Sequence, residues 1–187
     1  MPIDTDDEIL IAKARKGGLG AFESLFRRFE RPVYTLGMRI CGRREDAEEV
    51  VQETFIEISR SLGKFRGDGP FRSWVQRIAA TKALMLLRKS SRWEEHLSYD
   101  DGIVNGMGLP SSGSENIRMD LAGAFQRLSA AARAVLWLHD VEGYTHAEIA
   151  ELTGKTPSYS KSQLARAHER LRNLLTAEDE VKSCIQP

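Results

Sequence analysis

EGYTHAEIAELTGKTPSYSKSQLARAHERL, residues 142–171, carries the punctuation of two helices separated by a tight turn. Thr145 followed by Glu148 matches a capping box, in which hydroxyl and carboxylate each satisfy a backbone donor that the first helical turn leaves orphaned. Ile149, Ala150 and Leu152 give the short helix an apolar side, and Gly154 stops it. Thr156 can cap the next helix, whose first turn accepts Pro157 because the missing N–H is not needed there. The pattern predicts a helix-turn-helix with a supporting helix over 145–153 and a recognition helix from 157 to about 175. Leu164, Ala167 and Leu171 then face the core. Tyr159, Lys161, Ser162, Gln163 and Arg166 fall on or near the outward side, with Arg170 and Arg172 further along. Lys and Arg neutralise phosphates or bond guanine edges, while Ser, Gln and Tyr supply neutral hydrogen bonds. The plainer reading of the same residues is a solvated basic face on an ordinary helical hairpin.

Helical spacing extends upstream through Leu121, Phe125 and Leu128, then Val135, Leu136 and Leu138. Before it, residues 90–116 dissolve into Ser, Gly, Asp and Asn and read as a flexible linker. So long a structureless stretch inside one compact domain would be unusual, and two domains are expected. In the first of them, Ile9, Leu10 and Ala14 open a short helix, broken by Gly17, Gly18 and Gly20. Phe22, Leu25, Phe26, Phe29, Val33, Leu36 and Ile40 form one stripe despite Pro32, a potential kink point near Arg31. Gly42 ends that helix, and Ala47, Val50, Val51, Phe55, Ile58 and Leu62 continue the period along another. Residues 63–70 read as a loop, and Phe71, Trp74, Val75 and Ile78 begin a third long helix reaching about Lys89. No segment shows sustained strand alternation, so the fold class is all-α: two small helical domains joined by a flexible linker.

Lys plus Arg equal Asp plus Glu at 27 each, which argues against a polybasic nucleic-acid binder. The signs are nonetheless segregated. From Phe71 to Arg92 the ionised side chains are Arg72, Arg77, Lys82, Arg88, Lys89 and Arg92, with no carboxylate among them, whereas Glu45, Asp46, Glu48, Glu49 and Glu53 cluster just upstream. Two surfaces of opposite sign point to two different partners. Exposed carboxylates usually just face water, but if the acidic helix binds anything, a basic protein surface is favoured and DNA is excluded. The basic helix starts with Phe71 and Trp74 beside a glycine-rich loop holding Lys64, Arg66 and Asp68. Cations that track a backbone and aromatics that stack on unpaired bases suit single-stranded nucleic acid. Phe71 and Trp74 are also what a helical core stripe requires, and for Trp74 that reading is preferred.

No apolar run approaches the roughly 20 residues that span a bilayer, and the amino terminus is acidic, so a cytoplasmic location is expected. Cys41 and Cys184 lack metal-ligand spacing and read as reduced thiols. Phosphate-cradling glycine loops, metal clusters and nucleophile–base pairs are not evident, and His96, His139, His146 and His168 are scattered along the chain. No cofactor, small-molecule substrate or enzymatic activity is expected.

Three runs, Asp46-Ala47-Glu48-Glu49-Val50-Val51-Gln52-Glu53-Thr54-Phe55, Phe71-Arg72-Ser73-Trp74-Val75-Gln76-Arg77-Ile78-Ala79 and Glu142-Gly143-Tyr144-Thr145-His146-Ala147-Glu148-Ile149-Ala150, together resemble extracytoplasmic-function (ECF) sigma factors of the sigma-70 family. They occur in the family's order across about residues 6–175. The resemblance implies a sigma-2 domain at 6–90, a linker at 91–118, a sigma-4 domain at 119–176 and a tail at 177–187. It implies that Asp46, Glu49, Gln52 and Glu53 dock on the clamp helices of the largest subunit of core RNA polymerase, whose flap is a further partner. Lys64, Arg66, Asp68, Arg72, Trp74, Arg77, Thr81, Lys82 and Arg88 would engage the melted minus-ten promoter element. Tyr159, Lys161, Ser162, Gln163, Arg166 and Arg170 would read the minus-thirty-five element as duplex, and an anti-sigma factor would hold the protein inactive. The chain departs from the family pattern at Thr81, Met85, Ser158, Tyr159, Ser160, Gln163 and His168, so promoter sequence does not carry over from relatives. The readings from other classes are a helix-turn-helix regulator binding duplex DNA without polymerase, and a helical nucleic-acid-modifying enzyme.

Overall fold

Apolar side chains at three- and four-residue steps take this chain into helices, and the described residues contain no strand. The computed structural model describes residues 5–90, 92–93 and 116–185, with side-chain surroundings for 6–90, 92–93 and 121–176. The chain divides into two units between Lys89 and Ser90.

The first unit contains α1 (Thr5–Arg15), α2 (Leu19–Cys41), α3 (Arg44–Ser61) and α4 (Phe71–Lys89), with a 3-10 turn at Leu62–Lys64. Helices α2, α3 and α4 pack on one another and α1 packs on α2. Their shared core is built from Leu25, Val33, Leu36 and Ile40 of α2, Val50 and Ile58 of α3, and Phe71, Val75, Leu84 and Leu87 of α4, all essentially removed from water. Each such side chain contributes about 1.5–3 kcal/mol by burial. α2 continues through Pro32 as one helix and ends at Gly42. Gly37 sits where α2 and α3 lie close together: a Cβ there would stand 3.1 Å from the Ala47 Cα and 3.3 Å from the Val50 Cβ.

The inward side of α1 differs from the expected Ile9 and Leu10. Ile11 is the buried residue and Ile9 is exposed. Four residues before Ile11 lies Asp7, also buried, and its carboxylate takes an ion pair from Arg28 of α2. That partner is what makes a buried carboxylate tolerable. Cys41 is a buried thiol whose Sγ approaches the Ala83 carbonyl at 3.8 Å, while the Cys184 side chain lies outside the described residues.

The second unit contains α5 (Asn116–Gln126), α6 (Ala130–Leu136), α7 (His146–Thr153) and α8 (Pro157–Ile185), with a π-helical turn at Trp137–Val141. The expected linker falls mostly on residues outside those described; α5 already begins at Asn116. Within α5, Ala124 and Phe125 are buried but Leu121 is exposed, contrary to its placement on the apolar stripe. Ser129 caps α6 by accepting from the Ala132 N–H at 3.2 Å. Ile149, Leu164, Ala167, Leu174, Val135 and Leu138 supply the core. α8 continues as backbone helix to Ile185, about ten residues beyond the expected end.

Candidate protein and nucleic-acid interfaces

In α3 the apolar residues Ala47, Val50, Val51, Phe55 and Ile58 turn inward, which leaves Glu45, Glu48, Glu49, Gln52 and Glu53 exposed and Asp46 half-buried. Arg43 and Arg44 pair with Glu45 and Glu48 at 3.8 and 2.8 Å. Exposed pairs of this kind contribute about 0–1 kcal/mol each, too little to neutralise the face. Ile56, at helical spacing from Gln52 and Glu53, is 41% exposed and adds an apolar element that the charge pattern did not reveal.

The segment between α3 and α4 closes over a cleft of about 360 Å³, lined by Lys64, Arg66, Asp68, Trp74 and Arg77 together with Phe65. The expected aromatic pair is thereby divided. Phe71 is buried in the core, whereas Trp74 is half-buried and opens onto the cleft, which corrects the core placement preferred for it. Phe65 joins them: its ring centroid lies 5.2 Å from those of both Phe71 and Trp74. Arg15, at the end of α1, steadies this segment by donating to the carbonyls of Leu62, at 3.1 Å, and Phe65. Sequence reading missed Arg15 and Phe65 because each acts across some fifty residues or as a single aromatic without periodicity. Arg66 and Asp68 pair at 3.5 Å in full exposure, which holds neither firmly.

The remaining candidates on α4 separate. Arg72 and Arg88 are exposed, while the Thr81 hydroxyl donates back to the Arg77 carbonyl at 2.8 Å. Lys82 is turned toward α3, with its Nζ 3.4 Å from Glu57 Oε2 and 3.6 Å from Glu53 Oε2 and its side chain 21% exposed. The basic run is therefore not one continuous face.

The capping box forms as expected, with the Glu148 N–H donating to Thr145 Oγ1 and the Thr145 N–H to Glu148 Oε2. Gly154 takes φ 67°, a left-handed conformation that closes α7 and admits the tight turn. Thr156 caps α8 by accepting from the Tyr159 N–H at 3.1 Å. On α8, Lys161, Ser162, Arg166 and Arg170 are exposed. Gln163 is buried, so its expected outward position is corrected. The reason is its spacing, since Ser160, Gln163, Ala167 and Leu174 recur at helical steps along the inward stripe. Tyr159 is half-buried, its phenol oxygen enclosed without a hydrogen-bond partner among the described residues. Burial raises this phenol's pKa, with Arg166 opposing.

Three histidines that lie apart in sequence meet in the second unit. Asp140 of the π turn receives hydrogen bonds from His139 Nδ1 at 2.7 Å and His168 Nε2 of α8 at 2.6 Å. Burial pushes the Asp140 carboxyl up, but the hydrogen bonds from His139 and His168 outweigh it and hold the pKa below its ordinary value. The His146 ring stacks on His139 at 4.5 Å and its Nδ1 lies 3.0 Å from the Ser160 hydroxyl. Burial, then the neighbouring His139 and Lys161, lower the His146 pKa, with Asp140 opposing. Ser160 is fully buried, so the cluster does not present a relay ending at an accessible nucleophile. Among the described residues no group of His, Cys, Asp and Glu could hold a metal ion, and no helix is long and apolar enough to cross a membrane.

Residues 25–93 match Sigma-70 region 2 and residues 118–171 match Sigma-70, region 4. The chain is 31% identical over 161 residues to RNA polymerase sigma factor CarQ of Myxococcus xanthus, spanning 86% of this chain and 92% of that protein. It is 28% identical over 174 residues to ECF RNA polymerase sigma factor SigM of Mycobacterium tuberculosis, spanning 92% and 86%. Among solved structures, CnrH in complex with the cytosolic domain of CnrY superposes with a TM-score of 0.54 at 26% identity, over 92% of this chain and 99% of that one. The sigma factor RpoE of Bartonella quintana, in complex with the anti-sigma factor NepR, gives 0.56 at 19% identity over 83% and 96%, and bears on the fold alone.

Proposed function

Since the chain belongs to the extracytoplasmic-function sigma factors of the sigma-70 family and is an RNA polymerase sigma factor, we propose how its surfaces divide that work. The acidic face of α3, with half-buried Asp46 and exposed Glu49, Gln52 and Glu53 at its centre, docks on basic clamp helices of the polymerase's largest subunit. Complementary potentials favour that pairing and disfavour DNA at the same surface. The cleft between α3 and α4 takes the melted minus-ten strand: Lys64, Arg66, Arg72, Arg77 and Arg88 follow the phosphates, Trp74 offers a stacking face, and Asp68 accepts from an extruded base. Thr81 flanks that strand. Lys161, Ser162, Arg166 and Arg170 of α8 face the minus-thirty-five duplex, the second unit's other partner being the flap. Tyr159 and Gln163 serve by shaping the helix's seat.

The observation that carries this reading is the cleft, which sets three cations and an indole around a space large enough for a base. The chain performs no bond chemistry itself; the polymerase does. It works in the cytoplasm, where promoter DNA is. An anti-sigma factor covering the polymerase-facing surfaces is part of the proposal, supported by the capture of CnrH with the cytosolic domain of CnrY.

Replacing Lys64 and Arg66 together with Ala tests the cleft. Promoter opening, followed with a fluorescent base in the minus-ten element, is expected to slow by about tenfold or more while affinity for core polymerase is unchanged. Wild-type opening kinetics would remove the cleft from the mechanism.

A further inference from the structure

We propose that Lys82 is a positioning residue for polymerase docking and not a contact to promoter DNA, an inference that rests on the docking role given above to α3. Glu53 and Glu57 lie one helical turn apart on α3, where two like charges repel. The Lys82 ammonium comes across from α4 to within 3.6 and 3.4 Å of them. Its side chain is only 21% exposed, against 51% for Glu53 and 40% for Glu57. A cation so placed is turned away from a phosphate backbone, while the Glu53 carboxylate it holds stays half in water, available to a partner. Glutamate is rotamer-rich, and fixing its carboxylate beforehand lowers the entropy lost when a basic protein surface binds. The bridge also stitches α3 to α4, so the docking helix and the helix beside the melted strand keep one relative geometry.

Two opposing effects follow from removing Lys82. Deleting a positive charge beside an acidic face strengthens its long-range attraction for a basic partner, whereas releasing Glu53 makes it pay its ordering cost on binding. The first effect is screened over about 8 Å at physiological salt; the second is not. Docking is therefore expected to weaken.

The test uses the full chain, purified core polymerase and the promoter complex. Lys82→Met is expected to weaken core-polymerase binding by about two- to tenfold, and Lys82→Arg to restore it. In a Glu53→Gln background, where the bridge to Glu57 remains but the docking carboxylate is gone, the same substitution is expected to leave docking unchanged, which a merely structural loss would not do. The slope of log affinity against log salt for holoenzyme on a pre-melted promoter is expected to stay at the wild-type value. Should Lys82→Met not fold, Lys82→Gln keeps a polar head and carries the same criteria. Unchanged core affinity, an equal loss in both backgrounds, or a salt slope reduced by about 0.7, the loss of one single-strand phosphate contact, would each overturn the proposal. Asp46→Lys with Glu49→Lys serves as the control for docking itself: if that pair also leaves core affinity unchanged, the docking role of α3 fails; if it alone weakens binding, only the Lys82 inference does.

Discussion

At Gly37 the backbones of α2 and α3 approach so closely that side-chain size decides stability. Ala there gains about 1 kcal/mol of helix propensity and loses a similar amount to crowding against Ala47, so Gly37→Ala is expected to be near neutral. Gly37→Leu has a similar propensity gain but forces three further carbons into the same gap, and is expected to lower stability by about 1–3 kcal/mol, read from denaturant midpoints; an unchanged midpoint would show that the interhelix gap is wider than described. Arg166 presents the opposite case, an exposed side chain whose proposed worth lies in recognition. Arg166→Ala is expected to cost about 1–3 kcal/mol against the cognate minus-thirty-five duplex and much less against a scrambled one; equal losses on both would reduce Arg166 to a phosphate contact. Single residues were the least legible level of this sequence. Gln163 is polar and was read as outward, yet its register with Ser160 and Ala167 puts it inside, and periodicity outranked polarity. Lys82 looked like one more cation in a basic run until the α3 carboxylates appeared opposite it.

Elements were far more legible, because caps and breakers act within a few residues of themselves. The Thr145–Glu148 box, Gly154, Thr156 and Pro157 mark the start and end of α7, the turn and the start of α8 by local hydrogen bonds and backbone geometry. What local signals could not show is convergence between elements. His139, Asp140, His146, Ser160 and His168 come from the π turn, α7 and α8, and their meeting depends on packing. His146 is expected to make the second unit sensitive to acid. His146 is held below its ordinary pKa by burial and by His139 and Lys161, so the folded form binds its proton less readily than the unfolded chain. Stability from this group is accordingly present above about pH 6.5 and lost as pH falls through the lowered folded value. Asp140, also lowered, acts in the same direction but only in the carboxylate range. Amide exchange in α7 and α8 of the full chain is expected to accelerate between pH 7 and 5 beyond its intrinsic trend, and His146→Gln is expected to flatten that response. A response that survives the substitution would assign the sensitivity elsewhere.

For the molecule as a whole, the proposed division of labour follows from charge placed by helical period. Inward apolar stripes leave α3 with an acidic face, the α3–α4 cleft with cations around an indole, and α8 with a basic outer side. That arrangement was legible because 27 cations and 27 anions that cancel in sum are separated along the chain. The cleft itself was legible only as a glycine-rich loop beside aromatics: Phe65 and the bracing Arg15 belong to tertiary structure. The most direct measurement is initiation by the purified chain added to core polymerase on a library of promoter fragments, with transcripts sequenced from their 5′ ends. The account predicts starts confined to one promoter class that appear only when chain and core are mixed, and that vanish with Asp46→Lys and Glu49→Lys. Specific binding to duplex promoter by the chain alone, with no gain in initiation when core polymerase is present, would contradict it.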